Sequence, residues 1–260
     1  MLDDQQFARL QRFEGIIIRY PRMNEVFKSF EFLRKKARAV RGLNASEKLN
    51  VTSLFALPLM APTGTGKSRI INAYMQKVRE EEHPPGAIPV LVVELSTKLT
   101  VKGFYADVLK AFGDPNSARG TQQQLEMRTQ AFIRKCGVEL LIVDEVHHLI
   151  NAETNKVSWD VAELFKGILN NKSCCLVLSG VEKSTVLFER GGQLARRCIS
   201  PVPLGPLDIQ NKAEREMFLG FIGRLDEMMM KEKVTDKKNG LLEGDVPACL
   251  YEISRGVVGI

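Results

Sequence analysis

Residues 60–70 read MAPTGTGKSRI, set between an apolar run, LFALPL (54–59), and a segment patterned as a helix. Two glycines, a lysine and a serine are costly at the exit of a buried strand. Glycine loses much backbone freedom on folding, and lysine brings a charge close to a core. A bound polyphosphate offsets both costs. Gly64 and Gly66 let backbone N–H groups curl around phosphate oxygens at a helix N-terminus, where the dipole favours anions. Lys67 then reaches the β- and γ-phosphates, and the Ser68 hydroxyl ligates Mg²⁺. The stretch follows G-x-x-x-x-G-K-[ST], with Ala61 replacing the first glycine by the smallest alternative. Pro62, Thr63, Gly64, Thr65, Gly66, Lys67, Ser68 and Arg69 are the candidate phosphate-binding residues, with ATP and Mg²⁺ as the expected cofactors.

Working outward, apolar runs recur at SLFALPLM (53–60), IPVLVVEL (88–95), VELLIVDE (138–145) and SCCLVLSG (173–180). Helical patterns lie at 67–82, 102–112, 121–136 and 157–170. Near-continuous apolar strands alternating with helices predict an α/β fold, a parallel sheet covered on both faces. Residues 1–50 read as helical, with Val26, Phe27, Phe30, Phe32 and Leu33 on one stripe and Gly42 as a stop. Beyond Ser200, PVPLGPLD (201–208) reads as a hinge, followed by amphipathic helices in 211–233 and 244–256. The expected organisation is an N-terminal helical extension (1–50), an α/β core (51–205) and a C-terminal helical subdomain (206–260) that reads as cut short.

LLIVDE (140–145) is an apolar strand ending in two acids, 77 positions after Lys67. Asp144 is placed to hold Mg²⁺ through water, and Glu145 to polarise an attacking water. A further strand, 88–95, falls between the lysine and the acids in the chain. That insertion, with a glutamate beside the aspartate, separates hydrolysing ATPases from GTPase-like and nucleotide-kinase-like proteins. CLVLSG (175–180) ends a strand with Ser179, either to sense the γ-phosphate or orient the water, or simply to make a turn. His147 and His148 follow the acids. Adjacent residues on a helix point in different directions, which argues against a metal pair and for strand capping or a subunit contact.

A net charge of +6 and a pI near 9.1 permit a nucleic-acid partner without demanding one. Five cysteines form no CxxC pair, as expected for reduced core thiols of a cytosolic protein. The start, MLDDQQFARL, is polar and acidic, unlike a signal peptide, and no window approaches the roughly 18 apolar residues of a membrane span. No membrane partner is expected.

APTGTGKS, LLIVDEVHHL, CLVLSG and GGQLARRCIS (191–200) together resemble AAA+ ATPases, most closely the transposition regulators TnsC and TniB. The resemblance implies an AAA+ P-loop NTPase fold with a C-terminal helical lid. It also implies an ATPase that assembles with ATP as a ring or helical oligomer on double-stranded DNA in the bacterial cytosol. Such a protein links a TniQ/TnsD-like target selector to a TnsB/TniA-like transposase, and hydrolysis disassembles it. By position, Arg196 or Arg197 resembles the arginine finger that reaches a neighbouring subunit's ATP, with Arg190 a weaker candidate. Arg255 lies in the region of the lid's second sensor arginine, although the family motif places that residue after the glycine turn. The same resemblance puts STKLTVKG (96–103), with Ser96, Thr97, Lys98, Thr100 and Lys102, on the inner surface of the ring. SARGTQQQ (117–124), with Arg119 and Thr121, is a second DNA candidate. No aromatics interleave with these bases and no recognition helix stands out, so backbone contact without sequence readout is expected. An initiator- or clamp-loader-like AAA+ enzyme is the alternative; a small-molecule kinase is disfavoured by Glu145.

Overall fold

The computed structural model describes residues 3–51, 53–96, 100–151, 156–157, 159–189 and 192–259. Three helices come first: α1 (Asp4–Gly15), α2 (Pro21–Gly42) and α3 (Ala45–Leu49). Then follow β1 (Ala56–Met60), α4 (Lys67–Arg79), β2 (Val90–Glu94), α5 (Val101–Ala111), α6 (Gln122–Lys135) and β3 (Leu140–Asp144). A short antiparallel pair, β4 (Ile150–Asn151) and β5 (Lys156–Val157), precedes α7 (Trp159–Asn170) and β6 (Cys175–Gly180). The chain ends with α8 (Val186–Glu189), α9 (Gly192–Ala195), α10 (Lys212–Lys231) and α11 (Val246–Ser254). The four main strands and four helices expected between 53 and 180 are therefore present, each within a few residues of the expected bounds. The chain forms two compact units, one of residues 26–62 and 74–203, the other of 1–25, 63–73 and 204–260.

The larger unit is built on a parallel sheet of order β1-β6-β3-β2. Every residue of β3 and β6 is buried, which is why these strands read as unbroken apolar runs. The strand at 88–95 separates the lysine from the acids in sequence only. In the sheet β2 is the outermost strand, and β6 lies between β1 and β3. In space the lysine strand and the acid strand are separated by β6.

Pro58 explains where the sheet stops on its other side. The N–H of Ala61 and the carbonyl of Phe55 bond to Gly180 and Leu176 of β6 and its flank. Ala56 faces the opposite way, donating to Arg197 O (3.0 Å) and accepting from Ile199 N (2.9 Å). Pro58, two residues on, turns to that same outer side and has no N–H, so pairing with the 197–199 segment ends as a single bridge between Ala56 and Cys198.

In this unit α2 buries Val26, Phe30, Leu33, Ala37 and Val40 at helical spacing. Phe32, expected on that stripe, is 50% exposed, because two residues after Phe30 lies about 200° around the helix. The same face buries Arg34. Its Nε donates to Glu139 (2.8 Å), its two terminal nitrogens to Glu81 (3.2 and 2.8 Å) and one of them also to Tyr74 Oη (3.3 Å). Tyr74 in turn meets Phe27 and Phe30 edge-on, at ring separations of 5.1 and 4.9 Å. A buried guanidinium is tolerated only when its donors are met, and removing one partner of such a group costs several kcal/mol. Of the cysteines, Cys174 and Cys175 are core thiols, but Cys249 is exposed, so the core reading does not extend to it; all five are free.

In the smaller unit, Leu207, Phe218 and Ile222 form a compact core against α10 and α11. Arg22 reaches across this unit to Gly205 O and the Glu214 carboxylate. Arg255 caps α11 in the left-handed conformation, and Gly256 follows so close to Leu207 that no Cβ fits there. No helix among the described residues is long and apolar enough to cross a membrane.

Hydrogen bonds from Arg34 hold the Glu81 carboxyl down at about 2, below its ordinary 4.5. A depressed acid stabilises the fold above its unfolded value and loses that contribution as pH falls through its folded one. Glu81→Gln is expected to cost on the order of 2 kcal/mol at pH 7, with the gap to the native chain closing between pH 5 and 2 in urea unfolding curves.

Candidate nucleotide-binding and hydrolysis site

The glycine-rich loop lies in the smaller unit and leads into α4. Gly64 and Gly66 have φ of +84° and +83°, a region that L side chains rarely adopt. The alternation turns successive peptide planes, which is how a loop presents several N–H groups to one anion. Helical bonding starts at once, with Ile70 N donating to Gly66 O at 2.8 Å. Thr65 and Lys67 are buried, whereas Thr63, Gly64 and Ser68 are exposed. The Arg69 guanidinium donates to the carbonyls of Glu14 and Ile16 (3.0 Å to the latter), tying the chain after α1 to the start of α4. Gly259 crosses the face of the loop, and a Cβ on it would overlap Thr65 and Gly66.

Sequence reasoning missed a feature of this unit. An apolar cavity of about 270 Å³ opens against Thr65 and Gly66, lined by Ile16, Ile17, Tyr20, Ile222 and Leu250 among others. Its signal was GIIIRY (15–20), an apolar run too short for a helix and lacking strand alternation.

The acids stand in the larger unit. Asp144 ends β3 beside Glu94 of β2, and Val143 pairs with Leu178 of β6, so Ser179 falls next to the acid. The Ser179 hydroxyl donates to Asp144 Oδ1 at 2.7 Å, and Glu145 N–H donates to the same oxygen at 2.9 Å. Ser179 is fully buried. Its one hydroxyl proton is given to the aspartate. Glu145 has φ +60°, an uncommon state for a non-glycine residue and costly enough to mark functional turns. Its carboxylate lies 2.8 Å from His147 Nδ1. The histidines correct the expectation of divergent directions. Val146–Leu149 is a tight 3₁₀ turn, and the two imidazoles lie 4.2 Å apart.

Arg196 and Arg197 follow α9, in the larger unit. Arg196 is exposed, whereas Arg197 donates to Asn170 Oδ1 at 3.1 Å. Both line a cavity of about 600 Å³ with Lys36, Asn50, Ser53 and Phe55. Arg190 and Lys98, with Thr97, lie outside the described residues. Thr100 and Thr121 are helix N-caps, accepting from Gly103 N (3.0 Å) and Gln124 N (3.3 Å). Ser96 is bound to Asp107 through both its N–H and its hydroxyl. Lys102 and Arg119 are exposed.

A parallel sheet with the acid strand set one strand away from the lysine strand, and a phosphate loop opening a helix, define an AAA+ P-loop fold. The structure of Drosophila ORC bound to DNA matches with a TM-score of 0.52 at 14% identity, over 98% of this chain and 63% of that one. Cdc6p from Pyrobaculum aerophilum gives 0.51 at 12%, over 98% and 65%. The Aeropyrum pernix ORC1 protein in complex with DNA gives 0.53 at 12%, over 98% and 72%. The chain thus spans just under two thirds of the length of the first two. These likenesses are of fold. The TniB family (Bacterial TniB protein) matches residues 9–205, and the chain belongs to that family. No curated protein sequence matches it.

Ser179→Ala leaves one Asp144 oxygen short of a donor in a buried setting. A loss of about 1–3 kcal/mol in chemical unfolding is expected.

Proposed function

We propose that the chain is an ATP-dependent regulator of DNA transposition. It binds ATP with Mg²⁺, assembles as a ring or helical oligomer on double-stranded DNA, links a target selector to a transposase, and leaves on hydrolysis. Membership of the TniB family is the observation that carries this reading. The positive-φ glycines and the buried Asp144–Ser179 pair supply its chemistry. Thr63–Ser68 bind the phosphates, Lys67 neutralises them, Ser68 and Asp144 serve Mg²⁺, and Glu145 polarises water. The apolar cavity beside Thr65 takes the base, which stacks and needs few polar partners. Nucleotide entry lifts Gly259 off the loop.

Of the finger candidates among the described residues, Arg196 is the one exposed to reach a neighbour, since Arg197 is engaged with Asn170. Lys102, and with it Lys98, contacts DNA phosphates, with Arg119 a second contact. Thr100 and Thr121 stay with their helices as caps. A nucleotide shared across two subunits stabilises only the assembled state, which makes ATP a switch for DNA occupancy. The second reading is an initiator- or loader-like ATPase, favoured by fold relatives two of which are bound to DNA. Electron microscopy with a slowly hydrolysed ATP analogue separates the two: stable DNA-bound oligomers without turnover support the scaffold, and their absence favours the loader.

Lys67→Ala is expected to abolish ATP uptake in calorimetry. Glu145→Gln should bind ATP normally yet stay on DNA, and hydrolysis at the native rate in this variant removes Glu145 from its role. Arg196→Ala should slow hydrolysis by about 10³-fold, far more than Arg197→Ala. Lys102→Ala should weaken DNA binding alike at all sequences and reduce the salt slope by about 1.

A further inference from the structure

Glu145, His147 and His148 bring one carboxylate oxygen and one nitrogen from each imidazole within 4.8 Å of one another. Three local features make the cluster. The +60° φ of Glu145 reverses the chain directly before the turn. The 3₁₀ geometry at 146–149 then draws consecutive imidazoles together, at 4.2 Å and an interplanar angle of 41°. Finally, His147 Nδ1 is buried without a hydrogen-bond partner, although it lies 2.8 Å from the Glu145 carboxylate. All three residues are half-buried.

We propose that these residues form a binding site for a transition-metal dication of the zinc class, separate from the Mg²⁺ that accompanies ATP. Two imidazoles and a carboxylate suit Zn²⁺ and Co²⁺, whereas Mg²⁺ prefers an all-oxygen octahedron. Bonds of about 2.0–2.1 Å in a tetrahedron put ligand atoms about 3.3 Å apart, so small side-chain rotations close the cluster. Water takes the fourth position. Binding forms three protein–metal bonds and displaces waters from the ion, with no change of oxidation state. Because the metal engages the Glu145 carboxylate, that group cannot polarise the attacking water, and the metal brakes hydrolysis. The brake rests on the role proposed for Glu145; the metal site does not.

Cobalt titration of the full chain, without nucleotide and with millimolar Mg²⁺, tests the site through the visible absorption of four-coordinate Co²⁺. One equivalent is expected to bind. His147→Ala and His148→Ala should each weaken binding by about tenfold or more, with circular dichroism confirming the fold. His148→Cys should retain binding and add a sulfur-to-cobalt charge-transfer band. Absence of Co²⁺ uptake, or uptake unchanged in both alanine variants, overturns the site. Zn²⁺ that slows ATP hydrolysis in the native chain but not in the His147→Ala/His148→Ala chain supports the brake; equal slowing in both overturns it. Co²⁺ uptake in a chain that binds no ATP supports the site while overturning the nucleotide reading.

Discussion

The hydrogen bond from the Ser179 hydroxyl to Asp144 ties the ends of two buried strands at the edge where the chemistry is concentrated. It exists because β6 runs in register beside β3, and β6 is there because parallel strands need long crossovers that let a late segment insert between earlier ones. One register shift would turn Ser179 to the other face of the sheet and leave a buried carboxylate with one donor fewer. Backbone pairing, burial and site geometry are here one constraint.

The strands and helices of the larger unit were legible because they are long, apolar and punctuated by glycine. The phosphate loop was legible for the same reason in reverse: glycines, a lysine and a serine make poor sense in that place without a ligand. What sequence could not give was any feature that depends on three-dimensional neighbours. Strand order was one, since nothing in VLVVE says that it lies at the outside. Phe32 was another, grouped with a stripe that its angle excludes. The pairing of His147 with His148 was a third, because the argument from helix geometry assumed a wider α turn where the chain makes a tighter one. The threonines at 100 and 121 show the opposite case. Each stands at the start of a helical pattern, within two residues of its first position, and each caps its helix.

Arg34 illustrates how a charge comes to be central to a core. Surrounded by Glu31, Glu81, Glu139 and Tyr74, it joins α2, α4 and the chain before β3 within the larger unit. A hydrophobic residue there would match shape but leave Glu31 and Glu81 to share Lys77 and Glu139 to rely on Arg38, so the loss of the guanidinium would be felt by all three carboxylates. The role of Arg34 is one of holding the sheet's covering helices in place.

The imino acid at position 58 has a mechanical consequence for the arginines at 196 and 197. Because the outer lane of β1 closes after a single residue, the segment carrying them hangs on the backbone by two hydrogen bonds at Ala56. At about 1 kcal/mol net apiece, those two bonds are a weaker tie than a full strand ladder, and the Arg197 contact with Asn170 adds to them. The two arginines are thus placed by a short turn and one side-chain contact, where a second full strand on the outer lane would have fixed them along its whole length.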